Sequence, residues 1–280
     1  MTEFGSREGS PLTDAEWQVI DEAVINAARA ALVGRRFLPL VGPFGSGMTS
    51  VPVERVRRDT TALTSLTGDR AGGPVAGTER RELPVPVLAC DFRLEWRDLE
   101  RARRQELPLD TGRPAAAALE VATAEDRLIF FGDTELGIPG LMNAPGRARV
   151  DGVDWKQPGQ GYQAVLAGVQ KLMANGYPGP FTLVLGPDAF AHLNRVLEGT
   201  PLLELDRVAK LVRGEMLVSP LLGDSALLIW PQPQVADLVV GQDVLTLYLE
   251  SSGLVHYFRV MESIVPRIKT PEAICTIEGA

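Results

Sequence analysis

The chain has 280 residues, a formal net charge of −8 and 45% hydrophobic side chains, which suits one large domain or two smaller ones with real cores. It holds no apolar run long enough to span a membrane, and its acid excess argues against a nucleic-acid coat. The segment MTEFGSREGSPLTD lacks the basic and apolar parts of a secretory signal, and two cysteines, Cys90 and Cys275, form no CxxC pair and read as reduced core thiols in the cytoplasm.

A first helix is expected after Thr13, whose hydroxyl can cap it. Glu16 stands three residues on, the spacing of a capping box, and Leu12 and Trp17 are placed for a hydrophobic staple. Trp17, Ile20, Val24, Ala27 and Ala31 fall on one stripe, Asp21 and Arg29 on the opposite face, and Gly34 is a natural stop. One apolar stripe implies docking, either on the helix's own domain or on a partner as well. Gly42 to Thr49 then has the spacing of a phosphate-binding loop. Met48 occupies the position of its lysine, and Val51-Pro52 denies it a following helix. The expected role is a glycine-rich turn passing close over a neighbour. Residues 51–83 are polar and glycine-rich with weak strand signals, so they form either a mobile loop or an extended hairpin arm.

Pro84 to Leu94 reads as a strand and Glu95 to Arg104 as a short charged helix. Its cluster Asp98, Glu100, Arg101, Arg103 and Arg104 is either solvated or a bridge between subunits. Ala115 to Phe131 is an alanine-rich helix with Leu119, Ala122 and Ile129 along it. A charge such as Glu125 or Asp126 must face solvent or a basic partner. Residues 135–225 form a second unit of α/β type. It has helices at Tyr162 to Asn175, after Pro187 (with Phe190, Leu193, Val196 and Leu197 apolar) and at Leu202 to Val212, and a strand at Phe181 to Leu185. Strands follow at Ala226 to Trp230, Ala236 to Val240, Val244 to Glu250 and Tyr257 to Lys269. Pro266 marks an edge, bulge or bend in the last of these. Leu254 to Glu278 stays apolar almost throughout, as expected of a segment used in a core or a contact.

No catalytic, cofactor-binding or metal-ligating residue is nominated. His192 and His256 are the sole histidines, and Asp188 with His192 has ordinary surface spacing. Neither cysteine looks like an activated nucleophile. Glu120, Glu125 and Asp126 lack the Glu-x-x-His pattern of a di-iron bundle.

Several separated motifs resemble the family 1 encapsulins. They include Pro11-Leu12-Thr13 with Trp17, Gly34-Arg35-Arg36-Phe37, Val41 to Gly45, Trp96 to Glu100, Pro108-Leu109-Asp110, Glu125 to Gly132 and Gly137 to Leu141. The stretches Phe258-Arg259-Val260, Arg267-Ile268-Lys269 and Pro271 to Gly279 are similar to encapsulins whose guests store iron. The resemblance implies the mixed α/β fold of tailed-phage major capsid proteins. By it, residues 1–50 are an N-terminal helix and arm facing the lumen, and 51–83 an extended E-loop. Residues 84–134 and 226–270 are an elongated P-domain, 135–225 an A-domain, and 271–280 a return to the A-domain. It also implies a hollow icosahedral shell of about 60, 180 or 240 subunits, a cytoplasmic nanocompartment. The guest is a ferritin-like protein, with a dye-decolorising peroxidase as the alternative and a viral capsid role a more distant one. A short C-terminal targeting peptide of the guest would dock in a groove made by Leu32, Arg36, Phe37, Leu40, Leu238 and Val240. A five-fold pore would be lined by Glu198, Gly199, Thr200, Pro201 and Leu202. The partners implied are further copies of the chain and a guest, with no nucleic acid, no membrane and no cofactor.

Overall fold

The computed structural model describes residues 7–56, 60–196 and 202–279. In chain order the elements begin α1 (Asp14–Ala31), β1 (Leu40–Val41), β2 (Ser50–Val56), β3 (Gly77–Pro84), β4 (Val87–Glu95), α2 (Trp96–Arg104) and α3 (Gly112–Phe131). They continue with β5 (Gly132–Asp133), β6 (Ile138–Pro139), β7 (Ala148–Val153), α4 (Gln160–Ala174), β8 (Phe181–Leu185), α5 (Pro187–Leu193), α6 (Glu204–Val212) and β9 (Arg213–Val218). The last are β10 (Ala226–Ile229), β11 (Ala236–Ser252), β12 (Val255–Ile268) and β13 (Ile274–Gly279).

Helix α1 begins as its sequence dictates. The Glu16 N–H donates to the Thr13 hydroxyl at 3.3 Å, and the Thr13 N–H donates to the Glu16 carboxylate at 2.8 Å. Each contact satisfies a donor that the first turn leaves free. Trp17, Ile20, Val24 and Ala28 are buried, and the expected Ala27 and Ala31, partly buried, pack against the same core. That face meets α3, whose buried side runs through Ala118, Val121, Ala122, Glu125 and Ile129. Leu119 points away and is exposed. Trp17 packs edge-on against Phe258 of β12 at 5.6 Å, and Phe92 of β4 stacks on the same ring at 5.2 Å. One core therefore lies between α1, α3 and a four-stranded sheet ordered β1-β11-β12-β4.

The expected strands at 236–240 and 244–250 are one strand, β11, with register shifts between Val240 and Leu245. There the Gln242 N–H donates to the Ser263 hydroxyl at 2.8 Å, so a side chain replaces part of the regular ladder. Pro266 pairs with Leu238 beyond Ser263, the last residue that β12 pairs with β4, where a missing N–H leaves no second ladder open. The turn at 42–45 crosses β11 as expected. Phe44 and Gly45 donate to the carbonyls of Val240 and Gly241, and a Cβ on Gly42 would lie 2.3 Å from Val240 O.

Within 51–83 the described residues give a two-stranded arm at the root. Strands β2 and β3 pair antiparallel, with Val51, Val53 and Leu83 buried at the root. Residues 60–76 beyond them form no strand, and Leu63, Leu66 and Val75 are exposed. Arg55 ties the arm down through Pro145 O at 3.2 Å and Glu272 at 3.4 Å, and joins its two strands through Glu79 at 3.2 Å.

The second core surrounds a five-stranded sheet ordered β7-β13-β10-β8-β9. Here the expected boundary at 225/226 is corrected. Ala226–Ile229 pairs with both β8 and β13, so it belongs to this sheet and not with residues 230–270. All four residues of β10 are buried, as a strand covered on both faces requires. Helix α4 takes its N-terminal cap from a distant residue: Glu204, buried on α6, accepts from Gly159 N and Tyr162 N at 3.3 and 2.9 Å. Helix α5 buries Ala189 and Leu193, while the expected Phe190 and Val196 stay exposed and Leu197 falls outside the described residues.

Strand β13 sits between β7 and β10, with Ile274, Cys275 and Ile277 fully buried. Deleting Pro271 to Glu278 therefore splits the sheet and exposes its core. The expected product is insoluble or fails to assemble, checked by gel filtration and electron microscopy. Stable closed particles from that truncation would contradict this placement.

The groove at the end of the first helix

Helix α1 ends at Ala31, and a short 3-10 turn at Gly34–Arg36 redirects the chain toward β1. Asp126 of α3 builds that turn. Its two carboxylate oxygens accept from Val33 N at 2.9 Å and Gly34 N at 2.8 Å. Gly34 is required by the approach, because a Cβ there would lie 2.4 Å from Ile129 Cδ1. Burial pushes the Asp126 carboxyl up to about 6, and the two backbone donors only partly oppose it.

Arg35 then points inward. Its Nε reaches both oxygens of Glu125 at 2.9 Å, Nη2 reaches Glu262 of β12 at 2.5 Å and Nη1 reaches Asp243 of β11 at 2.7 Å. Glu125 and Glu262 are both fully buried. Burial works to lower the Arg35 pKa, but Glu125, Glu262 and Asp243 together raise it. Burial, with repulsion from Glu125 next, pushes Glu262 up to about 9, against the pull of Arg35. Burial and the neighbouring Glu125 thus favour the neutral form of Glu262. The basic partner expected for Glu125 is thus Arg35, 90 residues away.

Beside this junction lies a cavity of about 420 Å³. Ile25, Leu32 and Val244 supply apolar walls, and Arg29, Arg36 and Asp243 supply charge. A second hollow of about 640 Å³ shares Arg29, Leu32 and Arg36 and reaches Val218 and Pro220. Arg36 is half-exposed and pairs with Glu215 at 2.9 Å. This is an apolar trough with a charged rim, suited to an extended peptide.

Two of the expected groove residues, Leu32 and Arg36, line it. Three do not, which corrects the expectation. Phe37, Leu238 and Val240 are buried in the core around the five-stranded sheet, and Phe37 stacks on Phe130 at 6.4 Å. Leu40 is 52% exposed on the edge strand β1. Ile25, Arg29, Asp243 and Val244 were missed. Ile25 carried a signal, since it is an apolar residue off the docked stripe and remains 44% exposed. Of the expected pore loop, Glu198, Gly199, Thr200 and Pro201 lie outside the described residues, and Leu202 is 40% exposed. The flanks meet: Val196 bridges Leu203, and Glu204 N donates to Arg195 O at 3.0 Å.

In the charged cluster on α2, Arg103 binds Glu16 through two contacts of 2.8 Å, so it braces the α1 cap within one chain. That hydrogen bond holds the Glu16 carboxyl down at about 2. Burial pushes the Cys275 thiol up to about 11 and raises Cys90 as well, the opposite of activation. Among the described residues no group of three or more His, Cys, Asp or Glu could hold a metal ion, and no helix is long and apolar enough to cross a membrane.

The arm, the elongated sheet and the five-stranded sheet together make the fold of viral capsid subunits. It superposes on the virus-like particle of Pyrococcus furiosus with a TM-score of 0.76 at 21% identity, covering 95% of this chain and 99% of that one. The capsid protein of the myovirus XM1 gives 0.66 at 14% identity over 89% of this chain and 92% of that one. At such identities the likeness is one of fold alone.

Residues 1–265 match the family described as "Encapsulating protein for peroxidase", and the chain belongs to it, the encapsulin shell proteins. A type 1 encapsulin shell protein of Myxococcus xanthus is 38% identical over all of this chain and 98% of its own length. A dihaem-cytochrome–encapsulin shell fusion of Kuenenia stuttgartiensis is also 38% identical, over 94% of this chain and 72% of its own. A ferritin-like–encapsulin shell fusion of P. furiosus is 28% identical over 70% of this chain and 53% of its own length.

Replacing Arg35 by Met leaves Glu125 buried and unpaired. The expected loss is about 3–5 kcal/mol, read as an earlier guanidinium unfolding midpoint. Thr13→Ala, which removes only an exposed cap, is expected to cost about 1 kcal/mol.

Proposed function

We propose that this chain closes into a cytoplasmic icosahedral shell of about 60, 180 or 240 copies that encloses a guest enzyme and supplies no catalytic group itself. The observation that carries the guest role is the trough beside α1, an apolar channel with charges at its rim that the chain's own residues leave open. A short C-terminal peptide of the guest lays aliphatic side chains against Ile25, Leu32 and Val244. Arg29, Arg36 and Asp243 at the rim fix its direction. Enclosure then needs no further contact between shell and guest.

The guest we favour is a ferritin-like protein, with iron as its substrate, storing the metal and limiting oxidative stress. Support comes from the iron-storage-like stretch at Pro271 to Gly279 and from the P. furiosus relative joined to a ferritin-like part. A second reading is a dye-decolorising peroxidase guest, favoured by the description of the family.

Ile25→Asp places a charge on an exposed wall of the trough, outside both cores. Shells of normal size are expected, with guest content reduced at least about tenfold, the effect of roughly 1.4 kcal/mol. Mass spectrometry of proteins held in the native shell checks this and names the guest. Recovery of a peroxidase would overturn the iron reading. Guest-free shells are expected not to oxidise Fe(II), and rapid oxidation by them would sink the claim of an inert wall.

A further inference from the structure

The Arg35 junction is also one wall of the trough, so whatever holds the junction holds the trough. Asp243 takes one arm of the guanidinium and lines the trough together with Arg35 and Val244. Behind that wall two fully buried carboxyl groups meet the same cation, Glu125 from α3 and Glu262 from β12. Asp126, also buried on α3, is engaged with the N–H groups of Val33 and Gly34. On the β4 side Glu262 stands opposite the apolar Leu88. Three carboxyl groups thus bond one arginine, and a fourth, Asp126, holds the turn that carries it.

Of the four, Glu262 is the least able to carry charge. Its Oε2 accepts from Arg35, but its Oε1 is buried and has no hydrogen-bond partner. An ionised carboxylate with a bare, unsolvated oxygen beside a second carboxylate is costly. Glu125 has no such defect, since both its oxygens accept from Arg35 Nε.

We propose that Glu262 is a positioning residue that must be protonated for the trough to keep its shape, and that losing this proton in alkali loosens the trough and releases the guest peptide. The release part rests on reading the trough as the guest site. The proton passes to solvent base, and Glu262 then repels Glu125. The repulsion is relieved by letting water in between β12 and the Gly34–Arg36 turn. Asp243 and Val244, coupled through the same guanidinium, move with it. The sign follows from the shift. Glu262 moves from 4.5 to about 9 on folding, so the folded chain takes up a proton between those limits. The stability linked to it is full below 4.5, declines as pH rises and is gone above about 9.

The test uses intact shells purified with their native guest. Backbone hydrogen exchange, corrected for the intrinsic rate, is followed in residues 25–36 and 240–246 at neutral pH and at about pH 9.5. In the unaltered shell, protection there is expected to fall at least about tenfold in alkali, while β8 and β10 stay protected and guest is lost on gel filtration. Glu262→Gln keeps the shape of the neutral acid and cannot ionise, so its protection and guest content should stay flat with pH. Glu125→Gln removes the repelling charge, so Glu262 ionises at lower pH, paired with Arg35 and unopposed, and the alkaline loosening should disappear, a second route if the first variant folds poorly. Equal alkaline loss in both the unaltered shell and Glu262→Gln, or no loss in either, would overturn the proposal. Loosening that follows Glu262 while the guest stays bound would keep the latch and overturn the trough as the guest site.

Discussion

A single guanidinium joins four segments that lie far apart along the chain. Arg35 belongs to the turn after α1, Glu125 to α3, Asp243 to the irregular part of β11 and Glu262 to β12. Such a cluster is weak evidence for stability, because taking the charges out of water costs about as much as their attraction returns. Its value lies in position. An apolar contact tolerates sliding, whereas a guanidinium bonded on three sides does not. The register of α1 against α3, and of both against the sheet, is set there, and the trough forms where those elements part.

The rest of the architecture follows from how little each part can do alone. A two-stranded arm has no core of its own, and β2–β3 is held at its root by buried valines and by Arg55. Its outer part exposes Leu63, Leu66 and Val75, unusual for an isolated molecule and natural for a subunit whose neighbours are copies of itself. The elongated sheet likewise ends in two edge strands, β1 and β4, each paired on one side only. The chain invests its residues in surfaces and in two well-filled cores, and its thiols are shielded rather than activated.

The sequence was most legible where local rules decide. The Thr13–Glu16 box, the Trp17 stripe, Pro187 at the start of α5 and the turn at Gly42 all depend on neighbours within a few residues, and each stands where expected. The candidate site was less legible. Phe37, Leu238 and Val240 share composition with groove residues, but burial depends on what arrives from the other side of a strand. Ile25 and Val244 were overlooked because their role requires α1 and β11 to part at one place. The domain edge at 226 failed for a similar reason. Ala226–Ile229 is a short apolar strand that either sheet could take, and only its pairing with β8 and β13 decides.

Sequence by itself determined the caps, the apolar faces and, through motifs spread along its length, the family. These are properties of short-range geometry and of residue order. Tertiary structure alone decided which strand joins which sheet, that Glu125 lies buried against Arg35 instead of facing water, and that the trough is lined by Ile25, Leu32 and Val244. The reason is separation. Arg35 and Glu262 are 227 residues apart, and no local preference links them. The apolar Leu254 to Glu278 shows both halves at once: its composition marked it as interior, and only the fold divided it between β12, which contributes to both cores, and β13, which lies in the second.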